Sequence, residues 1–199
     1  MSDQTEVEIT GALDPQQLAT VHAIEASASQ VVRLDRYMIN FTTKELRESH
    51  VDLRARITNG SVELMIKHGE WGTGVRTESP VQCASGQFVP LVKALNGLGY
   101  VKGIGCHRII TRFMSGPIEV SLIEVPEYAW FFEAELLVAS SDAEQARRQL
   151  LDWAEEHRLP VLDKDAYLRF IADLDAHAND DLDFRLQAAW ETLSRRIRT

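Results

Sequence analysis

Four cations occur at alternating positions of neighbouring segments, and together they could bind an anion. Arg54 and Arg56 lie two residues apart in DLRARI, where apolar residues alternate with them. Residues two apart in a β-strand point to the same face. Lys67, in SVELMIKHG, and Arg76, in GVRTES, have the same alternating context. We predict that three strands present these cations on one surface, where they repel each other unless an anion or acidic side chains compensate.

This surface has two interpretations. It is either the solvated face of an antiparallel sheet, whose apolar alternate residues form a core, or a site for a bound anion. Asn59-Gly60 lies between two of the strand-like segments and is a typical sequence of a two-residue hairpin turn. Because several adjacent strands carry cations at matching positions, the anion site is favoured.

Two glutamate pairs have the same strand spacing. Glu6 and Glu8 alternate with apolar residues in TEVEIT, and Glu133 and Glu135 do so in WFFEAELLV. Carboxylates that lie side by side repel each other, so a cation is their natural partner. Each pair alone is compatible with an exposed strand, but two pairs flanking the basic segments favour a metal site.

Composition limits the class of protein. At 199 residues, with 45% hydrophobic and 26% charged residues, the chain is typical of one globular domain with appendages. No segment approaches the roughly 18 consecutive apolar residues of a membrane span, and the acidic amino terminus does not have the pattern of a signal peptide. We therefore expect a cytoplasmic protein without a membrane partner.

The net charge and the two cysteines exclude further classes of ligand and covalent linkage. The net charge of −9 argues against duplex nucleic acid, because proteins that bind it usually carry a basic face. Cys83 and Cys106 have neither the number nor the spacing of a disulfide framework or a paired metal motif, so both are expected to be reduced thiols.

The segments change from strands to helices along the chain. Strand patterns dominate up to about residue 139, interrupted by a helix that starts at Asp14-Pro15 and a short one in FVPLVKALNG. From residue 141 onward the pattern predicts only helices, including a terminal amphipathic helix in FRLQAAWETLSRRIR.

The order of these charged strands resembles that of the CYTH superfamily, also called triphosphate tunnel metalloenzymes. The resemblance covers about residues 6–172 and includes the DAYLRF segment. It implies an α+β fold, in which an antiparallel eight-stranded β-barrel, the triphosphate tunnel, is flanked by helices. It also implies a tunnel domain in residues 1–172, followed by a helical extension in residues 173–199.

The resemblance assigns roles to individual residues. The family's motifs match residues of this chain in order. They are the first E-x-E motif (Glu6, Glu8), the R-x-R motif (Arg54, Arg56), the strand lysine (Lys67), the R-x-E motif (Arg76, Glu78), the late arginine (Arg108) and the final E-x-E motif (Glu133, Glu135). The substrate-binding set is Arg54, Arg56, Lys67, Arg76 and Arg108, and the metal-binding set is Glu6, Glu8, Glu133 and Glu135. The catalytic set is Glu6, Glu8, Arg56 and Lys67. The expected cofactor is Mg²⁺ or Mn²⁺, which prefer oxygen ligands.

Three positions depart from the family pattern. Thr10 and Cys106 stand where the motifs have lysines, and Ile123 stands where an aspartate is usual, with Glu124 beside it. One lost charge-assisted contact weakens binding or rate by roughly 10- to 150-fold. The departures are therefore compatible with a slow enzyme, a changed substrate or a protein that only binds its ligand.

The function implied by the resemblance is metal-dependent hydrolysis of a small-molecule triphosphate, whether inorganic, nucleoside or thiamine triphosphate. Fixed cations stabilise the charge that develops as the phosphoryl group transfers. The alternatives are adenylyl cyclase activity of the class IV type and a catalytically weak protein that binds a phosphorylated ligand. The terminal helix could cover the barrel or form a homodimer interface.

Overall fold

Apolar and polar residues alternate along most strands, and this alternation determines which face of each strand contacts the helices. The computed structural model describes residues 4–69 and 75–197. The strands are β1 (Gln4–Ala12), β2 (Val31–Phe41), β3 (Val51–Thr58), β4 (Ser61–His68), β5 (Val75–Cys83), β6 (Lys102–Ser115), β7 (Ile118–Val125), β8 (Ala129–Ala139) and β9 (Asp180–Asp183).

Six α-helices occur in the described residues. They are α1 (Pro15–Ala26), α2 (Lys44–Glu48), α3 (Phe88–Gly97), α4 (Ala143–Glu156), α5 (Lys164–His177) and α6 (Gln187–Arg196). The start of α1 is as predicted, because Asp14 and Gln17 form a capping box. Within the described ranges, no helix is both long enough and apolar enough to span a membrane.

The strands form one sheet with the order β2-β3-β4-β5-β1-β8-β7-β6-β9. β2 also pairs with β6, so the sheet closes on itself. The result is the predicted antiparallel barrel of eight strands, with β9 added along Lys102–Gly105 of β6. Closure removes the exposed edges that an open sheet would present.

The β3–β4 hairpin has the predicted turn. Asn59 and Gly60 both have positive φ, 47° and 84°, which a two-residue turn of this kind requires. The resulting register places Arg54 opposite Met65 and Arg56 opposite Glu63. The turn therefore decides which charged side chains are neighbours.

The chain divides into two compact units. Unit 1 comprises the described parts of Met1–Leu34, Gly69–Thr77 and Ile109–Ile171. Its apolar cluster packs strand residues such as Val7, Val120 and Phe132 against Leu150 and Trp153 of α4. Ala146 and Ala154 lie on the same buried face of α4, as the sequence pattern predicted.

Unit 2 comprises Asp35–His68, Glu78–Arg108 and the described part of Ala172–Thr199. Its apolar cluster joins alternate residues of β2, β3 and β4 to α3 and α6. Members of this cluster are Tyr37, Ile39, Phe41, Leu53, Ala55, Val62, Phe88, Val92, Leu95, Ala189 and Leu193. In both units, therefore, the apolar core lies on the helix side of the sheet, and we call the opposite side the polar face.

Three elements differ from the sequence expectation. The terminal helix begins at Gln187 rather than at Phe184, and the short strand β9 precedes it where only helix was expected. β9 pairs with the beginning of β6, so a contact between segments distant in sequence determines its conformation. The helix α2 was also missed, because five residues are too few to show periodicity. The division into residues 1–172 and 173–199 stays a prediction.

Gly11 offers a test of how closely the chain packs in unit 1. A Cβ atom there would lie 2.0 Å from the carbonyl oxygen of Pro160 and 2.3 Å from a ring carbon of Phe132. We expect Gly11→Ala to lower the free energy of unfolding by about 1–3 kcal/mol, the usual cost of overpacking, in urea denaturation. Gly97→Ala is the control, because a Cβ there meets nothing within 4 Å. Equal stability of the two variants would contradict the close contact.

Candidate functional site

The polar face of unit 1 carries an acidic cluster. On β1, Val7 and Ile9 belong to the apolar cluster, so the alternate residues Glu6 and Glu8 lie on the polar face, where both are buried. Glu8 is directly opposite Glu135 of β8. Glu6, Glu8 and Glu135 each offer a carboxylate oxygen, and these oxygens lie within 4.8 Å of one another. We call these three residues the acidic cluster.

Burial and like charge change the acidity of this cluster. Burial, and after it the repulsion from the neighbouring carboxylates Glu6, Glu8 and Glu119, raises the pKa of Glu135 to about 8. At neutral pH the Glu135 carboxyl is therefore mostly protonated when no cation is near. A bound cation would favour its ionised form.

Two arginines of unit 1 partly compensate the carboxylates. Arg76 is opposite Glu6 across β1 and β5, and its Nη2 lies 3.8 Å from Glu8 Oε1. Arg112 Nε lies 2.9 Å from Glu119 Oε1. Arg76 forms an ion pair with the acidic cluster, and its role in substrate binding stays a prediction.

The polar face of unit 2 carries a basic cluster, which we define as Arg54, Arg56, Lys67 and Arg108. Because Leu53 and Ala55 face the apolar cluster, the two arginines of β3 must lie on the polar face. Arg56, Lys67 and Arg108 are buried, and Arg54 is largely so. Buried cations are uncommon unless they are paired. This face is therefore different from the solvated sheet surface that was the alternative interpretation.

Each cation of β3 and β4 has an acidic contact within unit 2. Arg54 donates from Nε to both oxygens of Asp52 at 3.0 Å. Arg56 Nε lies 3.0 Å from Glu63 Oε1, and Lys67 forms an ion pair with Glu78. These carboxylates make it possible to bury several like charges on adjacent strands.

Arg56 remains incompletely satisfied. Its Nη2 is buried and has no hydrogen-bond partner among the described residues. Burial lowers the pKa of Arg56, and the nearby Arg54 lowers it further. A buried donor without a partner is costly, so this guanidinium has both the charge and the free donor to bind an anion.

Arg108 lies in the middle of β6 and is held by two hydrogen bonds. Its Nη1 donates to the carbonyl oxygen of His107 at 2.7 Å, and its Nη2 donates to Asn179 Oδ1 at 3.0 Å. Asn179 in turn donates to Asp175 at 2.8 Å. Asp175, in the last turn of α5, and Asn179, just after this helix, therefore orient Arg108, which was predicted to bind substrate.

The three departures from the family pattern remain uncharged or apolar in the structure. Thr10 is buried opposite Glu133, and Ile123 is buried opposite Phe131. Burial raises the pKa of the Cys106 thiol to about 11, so this thiol is neutral at physiological pH. Glu124 does not replace the missing aspartate, because strand alternation places it on the face opposite that of Ile123.

Two acidic residues at the site were not selected from the sequence. Glu119 is opposite Glu135 across β7 and β8, and Asp52 binds Arg54. The alternation in IEVSLIEV and DLRARI could have placed each on the same face as the motif residues. Glu133 lies on the polar face beside Thr10 and Ser121 but is outside the group of three clustered carboxylates.

The acidic cluster fits a divalent cation. Three carboxylates, of which Glu6 and Glu8 are buried and Glu135 is partly buried, have oxygens within 4.8 Å of each other and provide the hard oxygen ligands that Mg²⁺ and Mn²⁺ prefer. They also leave a negative charge that the nearby arginines compensate only in part. The donor atoms and the electrostatics therefore both suit such an ion.

Comparisons with known proteins support the fold. No protein-family model matches the sequence, and neither does any curated protein. Among solved structures, the PH1819 protein of Pyrococcus horikoshii has a TM-score of 0.67 at 18% identity, covering 84% of this chain and 98% of that one.

Two further structures have names that mention an activity. A protein of Vibrio parahaemolyticus proposed to be an adenylate cyclase has a TM-score of 0.56 at 14% identity, covering 78% of this chain and 90% of that one. A protein of Hippeastrum, proposed to be an adenylyl cyclase and described as having a dominant triphosphatase activity, has a TM-score of 0.50 at 14% identity, covering 79% and 89%. The barrel that the resemblance predicted is thus shared with these solved structures.

The raised pKa of Glu135 predicts how stability depends on pH. The carboxyl contributes stability fully below its ordinary pKa of 4.5, and this contribution is lost as the pH rises through about 8. We expect Glu135→Gln, which stays neutral, to gain stability relative to the wild type between pH 5 and pH 8. Melting temperatures in metal-depleted buffer measure this difference.

Glu48→Gln is the control for this experiment, because Glu48 is exposed on α2. If the difference between Glu135→Gln and the wild type is the same at every pH, Glu135 does not titrate in this range.

Proposed function

We propose that this protein is a metal-dependent triphosphatase. The observation that carries the proposal is the burial of charge within each unit: in unit 2 the buried Arg56 retains a donor without a partner among the described residues, and in unit 1 three carboxylates cluster. A polyphosphate and a divalent cation are the ligands that such groups bind best. The substrate class is a small molecule that carries a triphosphate.

The residues of the basic cluster would bind the phosphate groups. Arg56 offers a planar fork to two phosphate oxygens, whereas Lys67 acts as a point charge. As the terminal phosphoryl group transfers to water, negative charge grows on the leaving group, and fixed cations stabilise it without reorganisation. Arg108 is already oriented by Asn179 and can act in the same way.

Glu6, Glu8 and Glu135 would hold the divalent cation. Such an ion neutralises phosphate charge and promotes deprotonation of water. The chain's own contribution is to keep the three carboxylates together in a largely buried position, which strengthens their interaction with a cation. Because Glu135 is protonated in the absence of a cation, it must release a proton when the ion binds.

Hydrolysis is preferred to cyclisation of ATP. The Hippeastrum protein shares the fold and is described as having a dominant triphosphatase activity. In cyclisation the ribose hydroxyl attacks the α-phosphate and pyrophosphate leaves, whereas hydrolysis of the terminal group releases phosphate. The two reactions therefore have different products.

A second candidate is a binding protein with little turnover. The neutral Thr10 and Cys106 favour it, because neither supplies the positive charge expected at those positions. Such a protein would still use the basic cluster to bind a triphosphate.

Single substitutions test the roles of the two clusters. We expect Arg56→Ala and Lys67→Ala to weaken triphosphate binding by about 10- to 150-fold, because each removes a charge-assisted contact. Glu135→Ala should mainly reduce the dependence on Mg²⁺ or Mn²⁺. Calorimetric titration with inorganic tripolyphosphate and with each metal separates these effects.

Lys44→Ala is the matched control for Lys67→Ala, because Lys44 is exposed on α2. Equal affinity for tripolyphosphate in the wild type, Arg56→Ala and Lys67→Ala would contradict the assignment of the basic cluster.

Product analysis distinguishes the three activities. With ATP and Mg²⁺ or Mn²⁺, we expect release of phosphate rather than pyrophosphate. A thermal shift with tripolyphosphate but no release of either product would indicate the binding protein. If tripolyphosphate neither stabilises the protein nor is hydrolysed, the proposed function is wrong.

A further inference from the structure

Glu63 contacts Arg56 without holding it firmly. We propose that Glu63 is a displaceable counterion, which occupies Arg56 when no phosphate is bound and yields to an incoming phosphate group. In this role Glu63 weakens phosphate binding and promotes its release. The inference rests on the proposed function, because it assumes that Arg56 binds phosphate.

The first observation is a difference in burial between two acidic partners. The side chain of Asp52 is 3% exposed, whereas that of Glu63 is 19% exposed. A carboxylate that reaches water recovers hydration when it leaves its cation, but a fully buried one does not. Glu63 can therefore leave Arg56 at a lower cost than Asp52 can leave Arg54.

The second observation is the geometry of the two pairs. Asp52 accepts hydrogen bonds at 3.0 Å from Arg54 Nε with both of its oxygens. Glu63 Oε1 lies 3.0 Å from Arg56 Nε, but in a direction that makes no hydrogen bond, and Arg56 Nη2 has no partner in the described part of the chain. Asp52 thus fixes its arginine, whereas Glu63 only compensates the charge of Arg56.

The third observation is a second partner for Glu63. Gln82, which is exposed on β5, donates from Nε2 to Glu63 Oε2 at 3.0 Å. This amide can retain the carboxylate after a phosphate has taken its place at Arg56. Displacement therefore moves Glu63 from one existing partner to another rather than leaving it unpaired.

These observations give Glu63 an effect opposite to that of a positioning residue. If Glu63 competes with phosphate, the neutral Glu63→Gln variant binds phosphate more tightly. If Glu63 instead orients Arg56, the same variant binds phosphate more weakly. Asp52 orients Arg54 in this way, so Asp52→Asn should weaken phosphate binding.

The test is calorimetric titration of the full chain with inorganic tripolyphosphate in metal-depleted buffer, where no turnover occurs. We expect Glu63→Gln to bind at least about fivefold more tightly than the wild type, the scale of a partly exposed ion pair. Glu48→Gln, which removes the same charge from an exposed position on α2, should bind like the wild type.

Each outcome decides the inference. Unchanged or weaker binding by Glu63→Gln overturns it, while wild-type binding still supports the proposed function. Absence of binding by both proteins overturns the inference and the proposed function together. If Glu63→Gln does not fold, Gln82→Met replaces it: weaker binding supports the displaceable role, because Glu63 has then lost its second partner, and unchanged or tighter binding overturns it.

Discussion

The structure depends on how buried charge is compensated on one face of a closed sheet. Both apolar clusters lie on the other face, so the charged alternate residues of the strands do not join them. Many of these residues are nevertheless buried, and burial removes the water that would solvate their charges. Compensation must therefore come from neighbouring side chains or from a ligand.

Buried charge is compensated in different ways in the two units. In unit 2 each cation of β3 and β4 contacts a carboxylate, although Arg56 keeps an unpartnered donor. In unit 1 three carboxylates lie close together, and Glu135 reduces their repulsion by taking up a proton.

The neighbours in structure share the barrel at 14–18% identity, so they show the fold and leave the substrate open. At Thr10 and Cys106 the chain has no positive charge, which reduces the number of phosphate contacts available. Displaceable acidic partners such as Glu63 would lower phosphate affinity further. Weak retention of phosphate would then be a property of several residues together.

Alternation within single strands could be read from the sequence, because the side-chain period of a strand is two whatever the tertiary context. It placed Arg54 with Arg56, Glu6 with Glu8 and Glu133 with Glu135 on common faces, and the resemblance of their order to a known family predicted the closed barrel. The buried face of α4 and the Asn59-Gly60 turn depend on equally local patterns and were also predicted.

The register of neighbouring strands and the burial of their side chains could be known only from the tertiary structure, because both arise from contacts between residues that are distant in sequence. Only the pairing of β1 with β8 brought Glu8 opposite Glu135 and left Glu133 outside the cluster. The same holds for the strand β9, which exists only through its pairing with β6. The unpartnered donor of Arg56 likewise depends on the packing around it, so the sequence determined which residues are charged, and the fold decided which charges remain uncompensated.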